Sequence, residues 1–228
     1  MPKVGMPEIR KPQLINATME AVNDVGLHKA SVAMIAKYAG VSPAIINHYF
    51  GGKDGLLEET MRAVLKELSA AISERLKKVE RDNVLERLIA VVEGNFDPKQ
   101  LDGKVVKTWL TFWSHSMHKP QLNRLQRVNE QRLLSYLRYE LKQVVSHDEA
   151  AFIAQGVAAL IDGIWLRGAL SPDGIDKELA EHLILDYLRL KLPEAVWQEY
   201  LDGKSAQQRG QKQQRDQKQR HDKTQAMA

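Results

Sequence analysis

The stretch SVAMIAKYAGVSPAIINHYFGGKDGLL, Ser31 to Leu57, decides how the whole chain is read. Val32, Ile35, Ala36 and Ala39 recur at the spacing of one helical face, and Ser31 stands where that helix needs an N-cap. Gly40 follows the last periodic residue, a place where left-handed backbone suits a residue without Cβ. Ser42 and Pro43 then read as the N-cap and first position of a second helix. The serine oxygen is expected to accept a free amide, and proline has no amide to leave unpaired. Val41, Ile46 and Phe50 turn back toward the first helix, leaving Pro43, Ala44, Ile45, Asn47 and His48 outside. A small, hydrogen-bonding face after a tight corner suits the DNA major groove. Short side chains there let the backbone approach, and Asn or His can reach base edges.

Working outward, helical periodicity runs through almost the whole chain, with no alternating strand pattern and no internal repeat, so an all-α fold is expected. Residues 7–25 form a first amphipathic helix, with Ile9, Leu14, Ile15, Thr18, Ala21, Val22 and Val25 mainly on one side. A long helix opens near Lys53 and runs to about Val79, striped by Leu56, Leu57, Met61, Val64, Leu65, Leu68, Ile72 and Leu76. Further helices are expected at 83–95, 104–118, 121–145, 148–170 and 176–191, with a short amphipathic segment at 195–201. Loops fall at 95–103 and 171–174, where Asp, Pro and Gly gather. After Gly203 the chain is Gln, Lys and Arg without an apolar stripe, too polar to offset the entropy of ordering. The expected division is residues 1–62 for DNA binding, 63–202 for effector binding and dimerisation, and 203–228 as a disordered basic tail.

The formal net charge of +4 is misleading, because seven Lys and Arg against two Asp lie in residues 203–228. The remaining 26 basic and 27 acidic side chains make the body nearly neutral, and residues 1–62 hold seven basic and six acidic ones. DNA affinity must therefore come from placement: Lys3, Arg10, Lys11, Lys37 and Lys53 toward phosphates, with Glu8, Glu20, Asp24 and Glu58 facing elsewhere. There is no cysteine, which excludes disulfides, thiolate metal sites and cysteine nucleophiles and fits a reducing compartment. No signal core or membrane span is read from the hydropathy, so a cytoplasmic protein is expected. No P-loop, dinucleotide fingerprint, nucleophile elbow or HExxH occurs, and an enzyme or a cofactor has no support. His115 and His118 lie three apart on one helix, but no third ligand stands near them and no metal is expected.

The motif IAKYAGVS, with Ile46, HYF at 48–50, Lys53, Leu56 and Leu57, resembles the helix-turn-helix signature of the TetR family of bacterial repressors. That resemblance implies that Tyr49 and Lys53 hold DNA phosphates while the short second helix reads bases. With Ser31, Ser42, Pro43, Ala44, Ile45, Asn47 and His48 these make the expected DNA-binding set. Asn47 departs from the tyrosine common at its position, which removes one usual backbone contact. The opening MPKVGMPEIRKPQLINATMEAV, GNFD at 94–97 and LIDGIWLRGAL at 160–170 resemble a subgroup of choline-responsive repressors of glycine betaine biosynthesis genes. The resemblance spans about residues 1–192.

The regulatory half needs a partner surface and a sensor. Ala151, Ile153, Ala154, Val157, Ala158, Leu160, Ile161 and Ile164 form a stripe rich in small residues, and Leu179, Leu183, Ile184, Tyr187 and Leu188 form a second. By the resemblance these two helices build a four-helix homodimer bundle, as a palindromic operator in double-stranded DNA requires. Aromatics crowd at Trp109, Phe112 and Trp113, at Tyr136 and Tyr139, and at Trp165. Their faces attract a quaternary ammonium such as choline, whose charge a carboxylate, Asp162 or Glu93, would complement. The same residues also read as plain core, with Asp162 paired to Arg167. A TetR-type repressor of another cationic or apolar molecule, or a helical adaptor touching protein, stays open at this point.

Overall fold

The computed structural model describes residues 6–204. Lys3 and most of the basic tail, residues 205–228, lie outside the described residues. The described chain is helical throughout. In order it runs α1 (Met6–Lys29), α2 (Val32–Tyr38), α3 (Pro43–Phe50), α4 (Lys53–Leu76), α5 (Val84–Asn95), α6 (Gly103–Ser116), α7 (Pro120–Leu141), α8 (His147–Leu170) and α9 (Lys177–Lys191). A further helix, α10, spans 194–204, so the ordered body runs two residues past the expected start of the tail.

Two hydrophobic clusters organise these helices. The smaller joins Leu14, Ala17 and Ala21 of α1, Ile35 and Ala36 of α2, Ile46 of α3 and Leu56 of α4. The larger begins at Leu57 and takes in α4 to α10, with Val22 and Leu27 of α1 reaching into it. Successive leucines of α4 therefore serve different cores. This rod of 24 residues, roughly 36 Å long, crosses from one to the other without a break.

The helices differ from their expected bounds for local reasons. α1 continues to Lys29 past a non-helical kink at Gly26, and Ile9, at 61% exposure, lies outside its packed stripe. α7 stops at Leu141 rather than 145, and the chain after it positions Ser146 for α8. There a capping box closes, in which Ser146 accepts from the Glu149 amide and the Glu149 carboxylate accepts from that of Ser146.

α8 is also long and apolar enough, by length and composition, to cross a membrane, contrary to the sequence reading. Its inner face, Ala150, Ile153, Ala154, Val157, Ile161 and Trp165, is instead buried in the larger cluster. Most of the α8 stripe assigned to a partner is thus subunit core, as are Ile184 and Leu188 of α9. The helix spacing explains the error. A buried helix carries an apolar stripe whatever covers it, and α8 is apolar on more than one side. Its outer side shows Phe152, Leu166 and Leu170, beside Leu179, Leu183 and Leu190 of α9, all exposed. Only Leu179 and Leu183 of that outward set were among the residues expected at a partner. The pair α8 and α9 approaches closely because Gly156 lies under Tyr187, where a Cβ would stand 2.0 Å from the phenol oxygen.

Candidate DNA-reading face and effector cluster

α2 begins as its sequence dictates. Ser31 accepts a hydrogen bond from the Met34 amide at 3.1 Å, and Gly40 takes φ 62° at the corner. Ser42 has the extended backbone of an N-cap, but its side chain makes no cap hydrogen bond. Pro43 follows as the first helical residue, and the Ser42 hydroxyl stays free on the surface.

Ile46 is wholly buried and anchors α3, while Val41 and Phe50 are half-buried. Pro43, Ala44, Asn47 and His48 are exposed on the far side as expected. Ile45 is only half outward, packing partly against the smaller cluster. Tyr49 is half-buried between His48, at 5.0 Å between ring centroids, and Phe50, at 6.4 Å. Those neighbours hold its ring in one orientation.

Lys53 stands apart from a free surface cation. Its Nζ donates to the carbonyl of Leu27 just past the α1 kink, and burial lowers its pKa. An ammonium has three N–H groups, so one ties the start of α4 to the end of α1 while the other two remain able to donate elsewhere.

Three acids of this unit are engaged locally. Glu20 accepts from Asn16 at 2.7 Å, Glu58 pairs with Arg62, and Asp24 accepts from Tyr38 at 2.7 Å and from Asn23. Hydrogen bonds from Tyr38 and then Asn23 hold the Asp24 carboxyl below its usual range. Tyr38, which the sequence reading passed over, thereby fastens α2 to α1. Its only signal was a tyrosine in the last turn of a helix.

In the other half, α6 and α8 bring Trp109, Phe112, Trp113 and Trp165 together. The Trp109 ring lies 5.9 Å from Phe112 and from Trp113, and 6.1 Å from Trp165, centroid to centroid. Trp109 and Trp165 are buried and Trp113 half-buried. The Trp109 indole donates to Gln100 Oε1 at 3.3 Å. Gln100 itself is 1% exposed, a buried polar residue in a loop whose composition gave no sign of it.

Tyr136 of α7 is half-buried against the larger hydrophobic cluster without a ring contact to the tryptophans among the described residues, and Tyr139 is 68% exposed and takes no part. Glu93 is not beside the tryptophans. It reaches Arg75 at 3.8 Å, next to the tighter Arg75 and Asp97 pair at 2.8 Å. Asp162 lies one turn before Trp165 and makes no ion pair with Arg167 among the described residues. It is exposed to solvent, with part of its carboxyl hydration lost. Loss of hydration, then the Glu130 carboxylate, push its pKa up to about 6.

α6 is also fastened to the DNA-reading unit. Lys104 donates to Asn16 and Lys107 to the Asn23 carbonyl, both at 3.0 Å. Lys119, just past α6, pairs with Asp54 of α4, and His115 faces His28 with ring centroids 6.2 Å apart. The histidine that might have met His118 at a metal thus packs across this junction.

These two units match two known families. Residues 14–60 match the family described as bacterial regulatory proteins, tetR family, and residues 84–193 match the BetI-type transcriptional repressor C-terminal domain. The HTH-type transcriptional regulator BetI of Vibrio campbellii is 59% identical over 192 residues, 84% of this chain and 96% of that one. The chain belongs to the TetR family, in its BetI-type branch. BetI of Pseudomonas aeruginosa strain LESB58 is 54% identical over 84% of this chain and 98% of its own. Among solved structures, a putative transcriptional regulator from Pseudomonas aeruginosa PAO1 superposes with a TM-score of 0.70 at 28% identity, over 80% of this chain and 90% of that one. A putative transcriptional regulator from Saccharomonospora viridis, solved in complex with choline, shares the fold at a TM-score of 0.69. It is 22% identical over 81% of this chain and 98% of that one. This BetI-type chain is therefore a DNA-binding transcriptional repressor, and its relatives are regulators rather than enzymes. TetR-family regulators bind DNA operators, form dimers and bind small-molecule effectors.

Proposed function

We propose that the chain is a homodimeric repressor of choline-to-glycine-betaine biosynthesis genes, acting in the cytoplasm and relieved by choline. Residues 1–62 read a palindromic operator and residues 63–202 bind effector and pair the subunits. α3 enters the major groove with Pro43 and Ala44 letting its backbone approach and Asn47 and His48 at base edges, while Ser31, the free Ser42 hydroxyl, Tyr49 and Lys53 hold phosphates.

The observation that carries the effector reading is the tryptophan cluster with Asp162 one helical turn from Trp165. Indole faces attract a quaternary ammonium by about 0.5–2 kcal/mol per contact, depending on desolvation. A carboxylate that has lost part of its hydration gains by meeting a cation that cannot lose its charge. The choline complex of the Saccharomonospora viridis protein and the BetI relatives support the same ligand.

In mechanism, choline enters between rings whose centroids stand about 6 Å apart, so it must spread α6 from α8. α6 is tied to α1 through Lys104 and Lys107, so the spreading moves the reading unit. Repression is relieved to the extent that choline binds better to a dimer whose α3 helices are wrongly spaced for the operator.

The test is a titration of choline into repressor and operator at fixed salt, with 3,3-dimethylbutan-1-ol as its uncharged isostere. Choline is expected to weaken operator binding at least tenfold, and the alcohol far less. An operator affinity unmoved by saturating choline would remove choline as the effector and leave DNA binding standing.

A further inference from the structure

Two adjoining grooves run along the outer side of α7, sharing Val128. One, of about 500 Å³, lies between α4 and α7, floored by Leu65 and Leu125 and walled by Arg62, Lys66 and Arg132. The other, of about 790 Å³, lies in the elbow between α6 and α7, with Met117 and Val128 beside Arg124 and Arg127. No carboxylate lines either groove. Arg62 is matched by Glu58 and Glu59, but Lys66, Arg124, Arg127 and Arg132 make no ion pair among the described residues.

This pattern has no role in the fold. Four unmatched cations on a nearly neutral body repel one another across a surface that also exposes Met117 at 72% and Val128 at 48%. Unmatched guanidinium groups around an apolar floor are what a ligand with a negative head and an apolar body complements. The aromatic cluster, with Asp162 at its edge, is complementary to the opposite charge.

We propose that the trough between α4 and α7 is a second ligand site, taking an amphipathic organic anion with a carboxylate or phosphate head. Lys66 and Arg132 hold the head from opposite walls, and the body lies over Leu65, Leu125 and Val128. A ligand in this place bridges α4, the rod that begins at Lys53, to α7 of the sensor half. It therefore changes operator affinity separately from the cationic effector. This regulatory consequence rests on the DNA-binding reading above, whereas binding itself does not.

The probes are decanoate and decyl phosphate, below their micelle concentrations, with decanol as the neutral control, titrated calorimetrically into the full chain. Both anions are expected to bind saturably and decanol at least tenfold more weakly. The double substitution Lys66→Gln and Arg132→Gln is expected to weaken anion binding by tenfold or more, as loss of charged hydrogen bonds does. Its choline response and its operator affinity without anion stay unchanged. Equal binding of decanol, or undiminished anion binding by the double variant, would overturn the site. A double variant that loses operator affinity and salt dependence without any anion would assign these cations to DNA phosphates instead. Decanoate binding without any change in operator affinity would overturn the regulatory role alone.

Discussion

At the scale of single residues, three side chains do something other than their sequence positions imply. Ser42 starts α3 by backbone conformation alone, with no cap hydrogen bond from its hydroxyl. Lys53 spends one donor on the Leu27 carbonyl rather than standing as a free surface cation. Asp162 holds its proton more tightly than an ordinary aspartate because hydration is stripped and Glu130 lies near. Its folded pKa of about 6 stands above the ordinary 3.8 of an aspartate, so the folded state binds more protons between those values and stability falls as pH rises through that window. If choline meets this carboxylate as proposed, its affinity is expected to climb with pH through about 6 and level off above. Choline titrations from pH 5 to 8 measure this, and Asp162→Asn should flatten the profile at the low plateau. Gly55 is a different case. A Cβ there would stand 1.9 Å from the Phe50 carbonyl oxygen, so α4 can follow α3 only with glycine at that position. Gly55→Ala should force α3 outward, lowering thermal stability by about 1–3 kcal/mol. Operator affinity should fall with it, while choline binding, seated in the other cluster, is retained.

At the scale of elements, the helix-turn-helix was legible because its signals are local: an N-cap, a corner glycine, a proline at the first helical turn and one buried isoleucine. The other helices were legible by period, and their ends were missed by a few residues, as where α7 stops at Leu141. What was not legible is which helix touches which. The sequence suggested α4 alone as the route from sensor to DNA, since one rod visibly runs between them. The structure also joins α6 to α1 through Lys104 and Lys107, a second connection that the proposed mechanism uses, and nothing in a lysine on a helix announces a partner more than eighty residues away. Gln100 was hidden for the same reason. The double substitution Lys104→Ala and Lys107→Ala should leave operator affinity and choline affinity, each measured alone, within about twofold. The factor by which choline weakens operator binding should shrink several-fold, since exposed polar bonds of this kind contribute little to stability but set relative position.

At the scale of the whole molecule, a nearly neutral reading unit cannot hold DNA by charge alone, so two units must be held at one spacing. A palindromic major-groove site places recognition helices about 34–36 Å apart, and α3 is far from the surface that sets this distance. In the proposed dimer that surface is the outward stripe of α8 and α9, where Phe152, Leu166, Leu170, Leu179, Leu183 and Leu190 are all exposed. Phe152 and Leu183 sit on adjacent helices of this stripe, at 68% and 44% exposure, and among the described residues the Phe152 ring meets only the Lys191 ammonium, so little subunit packing is lost. Phe152→Glu with Leu183→Glu should therefore yield a folded monomer, read as unchanged helicity by circular dichroism and halved mass by light scattering. Operator affinity should drop a hundredfold or more, because the second half-site is no longer bound as an intramolecular event. Choline binding should persist if the aromatic cluster belongs wholly to one subunit, as its contacts within α6 and α8 imply. A double variant that remained a dimer would move the partner surface elsewhere, and with it the route by which a ligand among the tryptophans alters the spacing of α3.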